Sequence, residues 1–139
     1  MDYQQEWSAL YKKHMDILHR ASHSMDINFE FSAALLALGP YKLKCFAQRL
    51  GNNLLAPWEP LKPLEALQLY LINKHHWTLN YARTFRHEKD YLLLLREEIA
   101  HLKLDRVEAY PVRLQVKNHE QRGAFTLHFD ERDPKQKIA

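Results

Sequence analysis

The sequence predicts an α+β fold. We expect one mostly α-helical domain of five or six helices over residues 1–130, ending in an antiparallel β-hairpin at residues 110–130. Two observations lead to this prediction. Apolar residues recur with the 3.6-residue period of amphipathic helices along most of the chain. From residue 110 onward they alternate with polar residues instead, as in half-buried strands. Residues 131–139 are polar, and we expect them to form a frayed tail.

Composition narrows the class of protein. The chain has 139 residues, of which 46% are hydrophobic and only 3 are Gly, which favours one folded core over disorder. Its formal net charge of +3 permits a nucleic-acid partner without requiring one. The first residues are polar and acidic, and no apolar run reaches the roughly 18 residues of a membrane span. We therefore expect no membrane partner, and the single cysteine makes a reducing cytoplasm the simplest compartment.

The strongest periodic stretch is residues 75–104. A short helix from Leu79 to about Phe85 is expected first, with Thr78 as its N-cap and Trp77 folding back on it as a hydrophobic staple. A longer amphipathic helix follows. Its apolar face is formed by Tyr91, Leu92, Leu95, Ile99 and Leu102.

Three further helical segments precede this stretch. Residues 3–22 form the first helix, and residues 63–75 form another with Leu67 and Leu71 inside. Residues 27–50 are interpreted as two short helices around a corner at Gly39-Pro40. Gly tolerates a left-handed helix end, and Pro suits the first position of the next helix, Tyr41–Leu50.

A proline stands at every third position in the connector, at Pro57, Pro60 and Pro63. This spacing favours an extended, polyproline-like segment. Such a segment could be a ligand for a proline-binding module. We prefer a structural role, because the indole of Trp58 within it is expected to pack back onto the core.

The predicted hairpin has one apolar face. Val112, Leu114 and Val116 alternate with polar residues, residues 119–123 form a turn, and the alternation resumes afterwards. Two strands alone are marginal in water, so this face must cover helices or a partner. Its open edges could also pair with another chain. The interface residues predicted here are Val112, Leu114, Phe125, Leu127 and Phe129.

Catalytic and metal chemistry receive little support. His19 and His23 have the i,i+4 spacing of metal ligands, but no Glu follows His19 as in H-E-x-x-H. No nucleophile motif, phosphate-cradling Gly-rich loop or carboxylate pair is present. We expect no enzyme activity, no cofactor, no metal and no small-molecule substrate.

The single cysteine, Cys45, excludes an internal disulfide and a multi-cysteine zinc site. On the expected Tyr41–Leu50 helix it lies away from the apolar face, near Lys44. Its basic surroundings could make it a reactive thiol. A small apolar residue on an outer face also suits a subunit contact, and a merely tolerated cysteine is the third alternative.

DNA binding has two possible routes in this sequence. A winged-helix arrangement would make residues 88–104 the reading helix, and its many carboxylates would repel phosphates. The other route uses the helix after Gly39-Pro40 as the reader, although a solvated basic face explains the same residues. The side chains that could contact phosphates and bases are Lys42, Lys44, Gln48 and Arg49.

The stretch Ile27-Asn28-Phe29-Glu30-Phe31-Ser32-Ala33-Ala34-Leu35-Leu36-Ala37-Leu38, followed by Leu43, Phe46 and Ala47, resembles the middle of FlhD-like proteins. These are small helical co-regulators of flagellar and conjugative-transfer genes. The family's aromatic-basic segment after this region is replaced here by Ala56-Pro57-Trp58-Glu59-Pro60. The resemblance implies a protein that works in a complex with a DNA-binding partner subunit, not an enzyme.

Together these observations predict a non-enzymatic bacterial or mobile-element regulator or adaptor. It would act in a protein complex or as a homo-oligomer, with DNA association as a transcriptional co-regulator left open. The main alternative is an assembly or scaffold subunit of a larger machine without nucleic-acid binding.

Overall fold

The computed structural model describes residues 1–21, 29–52 and 56–130. The regular elements of these residues are all helices, and the chain divides into two compact units. Unit 1 comprises Met1–Leu38 and His101–Ala139, and unit 2 comprises Gly39–Ala100. The helices are α1 (Tyr3–Ala21), α2 (Phe29–Gly51), α3 (Pro63–His75), α4 (Leu79–Ala82), α5 (Glu88–Leu94), α6 (Arg96–His101), α7 (Arg106–Val116) and α8 (Gly123–Thr126).

In unit 1, α1 packs against α7, and α8 follows α7 closely. The core of this unit includes two buried residues of α1, Trp7 and Leu10. It also includes the buried Val112 of α7 and the buried Phe125. The ring of Phe125 meets that of Phe31 edge to face, with centroids 5.5 Å apart. The first predicted helix is thus confirmed, and its C-terminal half is largely exposed.

The predicted β-hairpin is wrong. The segment assigned to its first strand belongs to helix α7, and the segment after the turn forms the single helical turn α8. The extended pairing found in residues 1–21, 29–52 and 56–130 is one isolated parallel bridge between Leu104 and Phe129. In this bridge the Leu104 amide donates to the His128 carbonyl and the Asp130 amide donates to the Leu104 carbonyl, both at 2.8 Å. The fold of the described residues is therefore helical, and the α+β class is corrected accordingly. The predicted tail, residues 131–139, lies outside the described residues.

The expected corner at Gly39-Pro40 is also wrong, since α2 continues from Phe29 to Gly51 with Pro40 inside it. An internal proline removes one backbone hydrogen bond and crowds the preceding turn. Burial on both sides of Pro40 offsets this cost. Ala37, Leu38, Tyr41 and Leu43 are all buried.

Unit 2 contains a separate hydrophobic cluster. Its buried members come from α2, α3 and the segment of α5 and α6, and they are Leu43, Ala47, Leu67, Leu71, Tyr91, Leu95 and Ile99. The predicted apolar face of the 88–104 segment is therefore confirmed at Tyr91, Leu95 and Ile99. The segment is divided into α5 and α6 at Leu95, where φ is −108° and ψ is 20°.

The start of α4 agrees with the prediction. The Thr78 hydroxyl accepts a hydrogen bond from the Tyr81 amide at 3.2 Å. Trp77 stacks on Phe85 with ring centroids 5.3 Å apart, and it meets Tyr81 edge to face at 4.9 Å. Both the cap and the fold-back of Trp77 are confirmed.

The connector behaves differently from the expectation. A turn at residues 57–59 is closed by the Glu59 amide, which donates to the Ala56 carbonyl at 3.4 Å. Trp58 does not pack back onto the core, because 77% of its surface is exposed.

Among the helices that the structure describes, none combines the length and the apolar character of a membrane span.

Candidate protein-interaction surface on helix α7

Helix α7 begins at a reciprocal capping box. The Asp105 carboxylate accepts from the Glu108 amide, and the Glu108 carboxylate accepts from the Asp105 amide, both at 2.9 Å. These two bonds satisfy two of the backbone donors that a helix start leaves open. The bridge between Leu104 and Phe129 fixes the residue just before the cap. The capping box and the bridge together fix the start of α7 within unit 1.

One face of α7 is buried. Ala109, Val112 and Val116 recur at i, i+3 and i+7, and all three are buried. Pro111, inside the helix, is buried as well. This face belongs to the core of unit 1, on the helix that packs against α1.

A second apolar row runs along the outer face. Val107, Tyr110 and Leu114 are also spaced at i, i+3 and i+7, and they are 63%, 60% and 45% exposed. Residues at this spacing stack one above another on a helix surface. We call these three side chains the α7 stripe.

Basic residues border the α7 stripe on one side. Arg106, Arg113 and the C-cap residue Lys117 are spaced at i, i+7 and i+11, which places them on one face of the helix. The Arg113 guanidinium lies over the Phe129 ring, 4.5 Å from its centroid. The acidic residue of α7, Glu108, is 1% exposed and is used in the capping box. The exposed surface of α7 therefore carries apolar, basic and neutral polar side chains, and no exposed carboxylate.

The predicted interface residues do not share one face. Leu114 is part of the α7 stripe, and Leu127 is exposed beside the Leu104–Phe129 bridge. Val112, Phe125 and Phe129 are buried. They lie in the core of unit 1. In a strand, residues two apart would point to the same side, but in a helix they do not, so Val112 is buried while Leu114 is exposed.

Cys45 differs from its expected position as well. It lies on α2 as a buried cysteine, not on an outer face. In this chain its side chain is covered, so the expected subunit contact at Cys45 is not presented at the surface.

The four residues predicted to contact nucleic acid differ in how exposed their side chains are. Lys42 is 2% exposed, and its ammonium group donates to the Ala100 carbonyl at 3.2 Å. Lys44 and Gln48 are half-buried, and Arg49 is exposed. The helix–corner–helix arrangement that would have presented this group to DNA is absent, since α2 is continuous. The four side chains do not form one exposed basic face.

Unit 2 has its own surface features. A groove of about 150 Å³ is lined by the predicted residue Lys44 together with Leu64, Leu67, Arg86 and Glu88, among others. A second groove of about 270 Å³ lies between α3 and α4, with Leu69, Ile72 and Leu79 in its wall. Both grooves are small and mostly apolar.

Tyr91, a buried tyrosine of unit 2, has a raised pKa. Desolvation raises the pKa of Tyr91 from its ordinary value of 10.0, and the side-chain hydrogen bond with Gln68 opposes this. The Tyr91 hydroxyl donates to the Phe85 carbonyl, which also accepts from the Gln68 amide at 3.4 Å. This network ties α5 to α3 and to the Phe85 carbonyl within unit 2.

Histidines do not assemble a metal centre in the described ranges. There, no three or more His, Cys, Asp or Glu side chains form a group that could hold a metal ion. His19 instead meets the Phe29 ring, with centroids 5.1 Å apart. His23, its partner in the weighed metal site, lies outside the described residues.

Sequence reasoning missed Val107 and Tyr110. The signal was available, since Asp105 and Glu108 have the spacing of a capping box and mark a helix start. Once a helix begins there, residues 107, 110 and 114 fall on one face. The alternation at 112–116 concealed this pattern.

The comparisons with known proteins give no match: no family model fits the chain, and no curated protein or solved structure shows significant similarity to it. The resemblance to FlhD-like proteins therefore stays a prediction.

Proposed function

We propose that this protein is a non-enzymatic adaptor or scaffold subunit that binds another protein through the α7 stripe. The observation that supports this is the continuous exposed row of Val107, Tyr110 and Leu114 on a helix whose opposite face is already in the core. Single exposed apolar residues are common on protein surfaces. A row of them on successive turns is typical of a surface that another helix or groove covers.

The energetics are consistent with this role. Fully burying a Val or Leu side chain contributes roughly 1.5–3 kcal/mol. Covering three partly exposed apolar side chains would therefore contribute several kcal/mol before the entropic cost of association is subtracted. A tyrosine in the middle of the row adds a rigid amphipathic ring, the kind of residue enriched at interface centres.

The DNA-associated form of the prediction is supported less. It depended on a basic face containing Lys42, and that side chain is covered. The basic row on α7 stands beside apolar side chains, and a phosphate backbone would leave those uncovered. We therefore propose protein binding as the primary activity.

The test is a pull-down of the tagged full-length chain from an extract of its host, with and without nuclease treatment. Leu114→Gln and Tyr110→Gln should each remove the captured partner. Ile17→Gln is the matched control, because Ile17 is an aliphatic residue on α1 that is 47% exposed, against 45% for Leu114. This control should keep the partner.

Circular dichroism and thermal unfolding of each variant establish that the fold is retained. A partner that persists with both α7 variants would contradict the proposal. So would a partner that is lost on nuclease treatment alone, since that would indicate association through nucleic acid.

A further inference from the structure

We infer that the partner segment for the α7 stripe is an amphipathic helix whose apolar row is flanked by acidic residues. This inference rests on the proposed function and names the chemistry of the partner. It is carried by the charge pattern around the stripe: an apolar row, a basic row beside it, and no exposed carboxylate on α7.

The two rows are immediate neighbours on the helix surface. Arg106 is four residues before Tyr110, Arg113 is three after Tyr110, and Lys117 is three after Leu114. Residues three and four apart lie side by side on a helix. A helix packed along the stripe would therefore bring its own flanking residues next to these cations. Acidic residues at those flanks would be favoured, and basic ones would be repelled.

The dimensions of the stripe suit a helix. From Val107 to Leu114 is seven residues, or about 10 Å at roughly 1.5 Å per residue. This equals about two turns, the length over which two crossing helices interdigitate their side chains. A partner with apolar residues at i, i+3 or i+4, and i+7 would match it.

Other anionic partners fit less well. A nucleic acid would pair with the basic row and leave the apolar row in water. An anionic lipid surface would accept both rows, but interfacial helices that bind membranes usually present a longer apolar face than three side chains. An acidic amphipathic helix covers both rows at once.

The test uses a displayed library of 21-residue helical peptides. Their core positions carry apolar residues at helical spacing, and their flanking positions are randomised among Glu, Gln and Lys. The library is selected on the immobilised full chain, after depletion on the Leu114→Gln variant. We expect Glu to be enriched at the flanks. A synthetic peptide from the enriched set should bind the parent and Ile17→Gln chains alike, and at least tenfold more weakly to Leu114→Gln.

Charge reversal gives the second readout. The double variant Arg106→Glu/Lys117→Glu should bind the acidic peptide about tenfold more weakly at low salt, and this difference should shrink as salt screens the charges. Lys12→Glu/Lys13→Glu is the matched control, because it makes the same change of charge at exposed positions of α1 in the same unit. That control should bind like the parent.

Several outcomes overturn the inference. The inference is wrong if no peptide is enriched over the depleted library, or if the enriched peptides show no preference for Glu at the flanks. It is also wrong if the selected peptide binds the Leu114→Gln chain as tightly as the parent chain. A dimer of the parent chain in sedimentation that Leu114→Gln dissociates would show that a second copy covers the stripe. Binding of the parent chain, but not Leu114→Gln, to vesicles of phosphatidylserine and phosphatidylcholine would assign the stripe to a membrane.

The two proposals fail separately. If the host partner is lost with Leu114→Gln while the selected peptides show no charge preference, the adaptor function stands and the acidic helix does not. If the host partner ignores Leu114→Gln and Tyr110→Gln, the proposed function fails whatever the peptide selection gives.

Discussion

Asp105 and Glu108 each accept a hydrogen bond from the other's backbone amide, both at 2.9 Å. This reciprocal pair starts the helix that carries the candidate interaction surface. It also accounts for the largest difference between the expected and observed folds, which is a helix in place of the first strand of the predicted hairpin. The capping box begins this helix just before the residues whose apolar–polar alternation indicates a strand.

Removing the cap should weaken α7 measurably. Asp105→Ala deletes the acceptor for the Glu108 amide and should lower the free energy of unfolding by about 1 kcal/mol. Urea unfolding followed by circular dichroism measures this loss. Asp105→Asn keeps a side-chain acceptor and should lose much less. If both variants lose the same amount, the loss does not come from the cap.

The continuity of α2 at Pro40 can be tested with a new amide. In a continuous helix, Pro40→Ala introduces an N–H that bonds to the preceding turn, and the amide at position 40 should exchange slowly with solvent. Hydrogen exchange followed by NMR measures this, with the exchange rate of an unprotected amide in an unfolded peptide as the reference for fast exchange. A fast amide at position 40 would instead support a corner.

Two glycines should respond in opposite ways to alanine. A Cβ at Gly51 would lie 2.8 Å from the Leu61 carbonyl oxygen, closer than backbone atoms permit, whereas a Cβ at Gly123 meets nothing within 4 Å. Gly51→Ala should therefore destabilise the protein by about 1–3 kcal/mol. Gly123→Ala should be neutral or stabilising by up to about 1 kcal/mol. Thermal and urea unfolding of the pair compares them directly, and equal effects would be inconsistent with the close approach at Gly51.

Tyr91 should make stability fall in alkaline solution. Desolvation raises its pKa above the ordinary value of 10.0, so the folded state holds the proton more tightly than the unfolded chain does. The stabilisation is fully present below pH 10 and is lost as the pH rises through the raised pKa. Urea unfolding between pH 8 and pH 11 should show a smaller alkaline decline for Tyr91→Phe than for the parent.

At neutral pH, Tyr91→Phe should cost about 1 kcal/mol for the lost hydrogen bond. The cost stays small because the Phe85 carbonyl still accepts from Gln68. Tyr110→Phe, on an exposed ring, serves as the control for removing a phenol and should unfold like the parent at neutral pH. An unchanged alkaline decline in Tyr91→Phe would assign the effect to other groups.

Trp58 and Trp7 should differ sharply in their contribution to stability. Trp58 is 77% exposed and Trp7 is fully buried, so Trp58→Ala should change the free energy of unfolding by less than about 0.5 kcal/mol. Trp7→Ala should cost about 3–5 kcal/mol. Acrylamide quenching of the parent, compared with Trp58→Phe, should show that the quenchable emission comes mainly from Trp58. A large loss of stability in Trp58→Ala would restore the expectation that this indole packs on the core.

The sequence by itself determined the features that depend on residues within a turn or two of one another. The helix at Pro63–His75, the Thr78 cap and the fold-back of Trp77 all follow from local spacing. The start of α7 was open to the same reasoning, since the carboxylates of Asp105 and Glu108 reach amides only three residues away.

Only the tertiary structure decided which of two compatible patterns is realised. Val112 and Val116 share a face in a helix and also in a strand, so their spacing fits both. The tertiary fold buries this face of α7 and leaves Val107, Tyr110 and Leu114 outside. Burial likewise removed Lys42 from the expected basic surface. The physical reason is the same in both cases: periodicity shows that a side chain has apolar or polar neighbours along its own helix, but its exposure depends on segments distant in sequence that cover it.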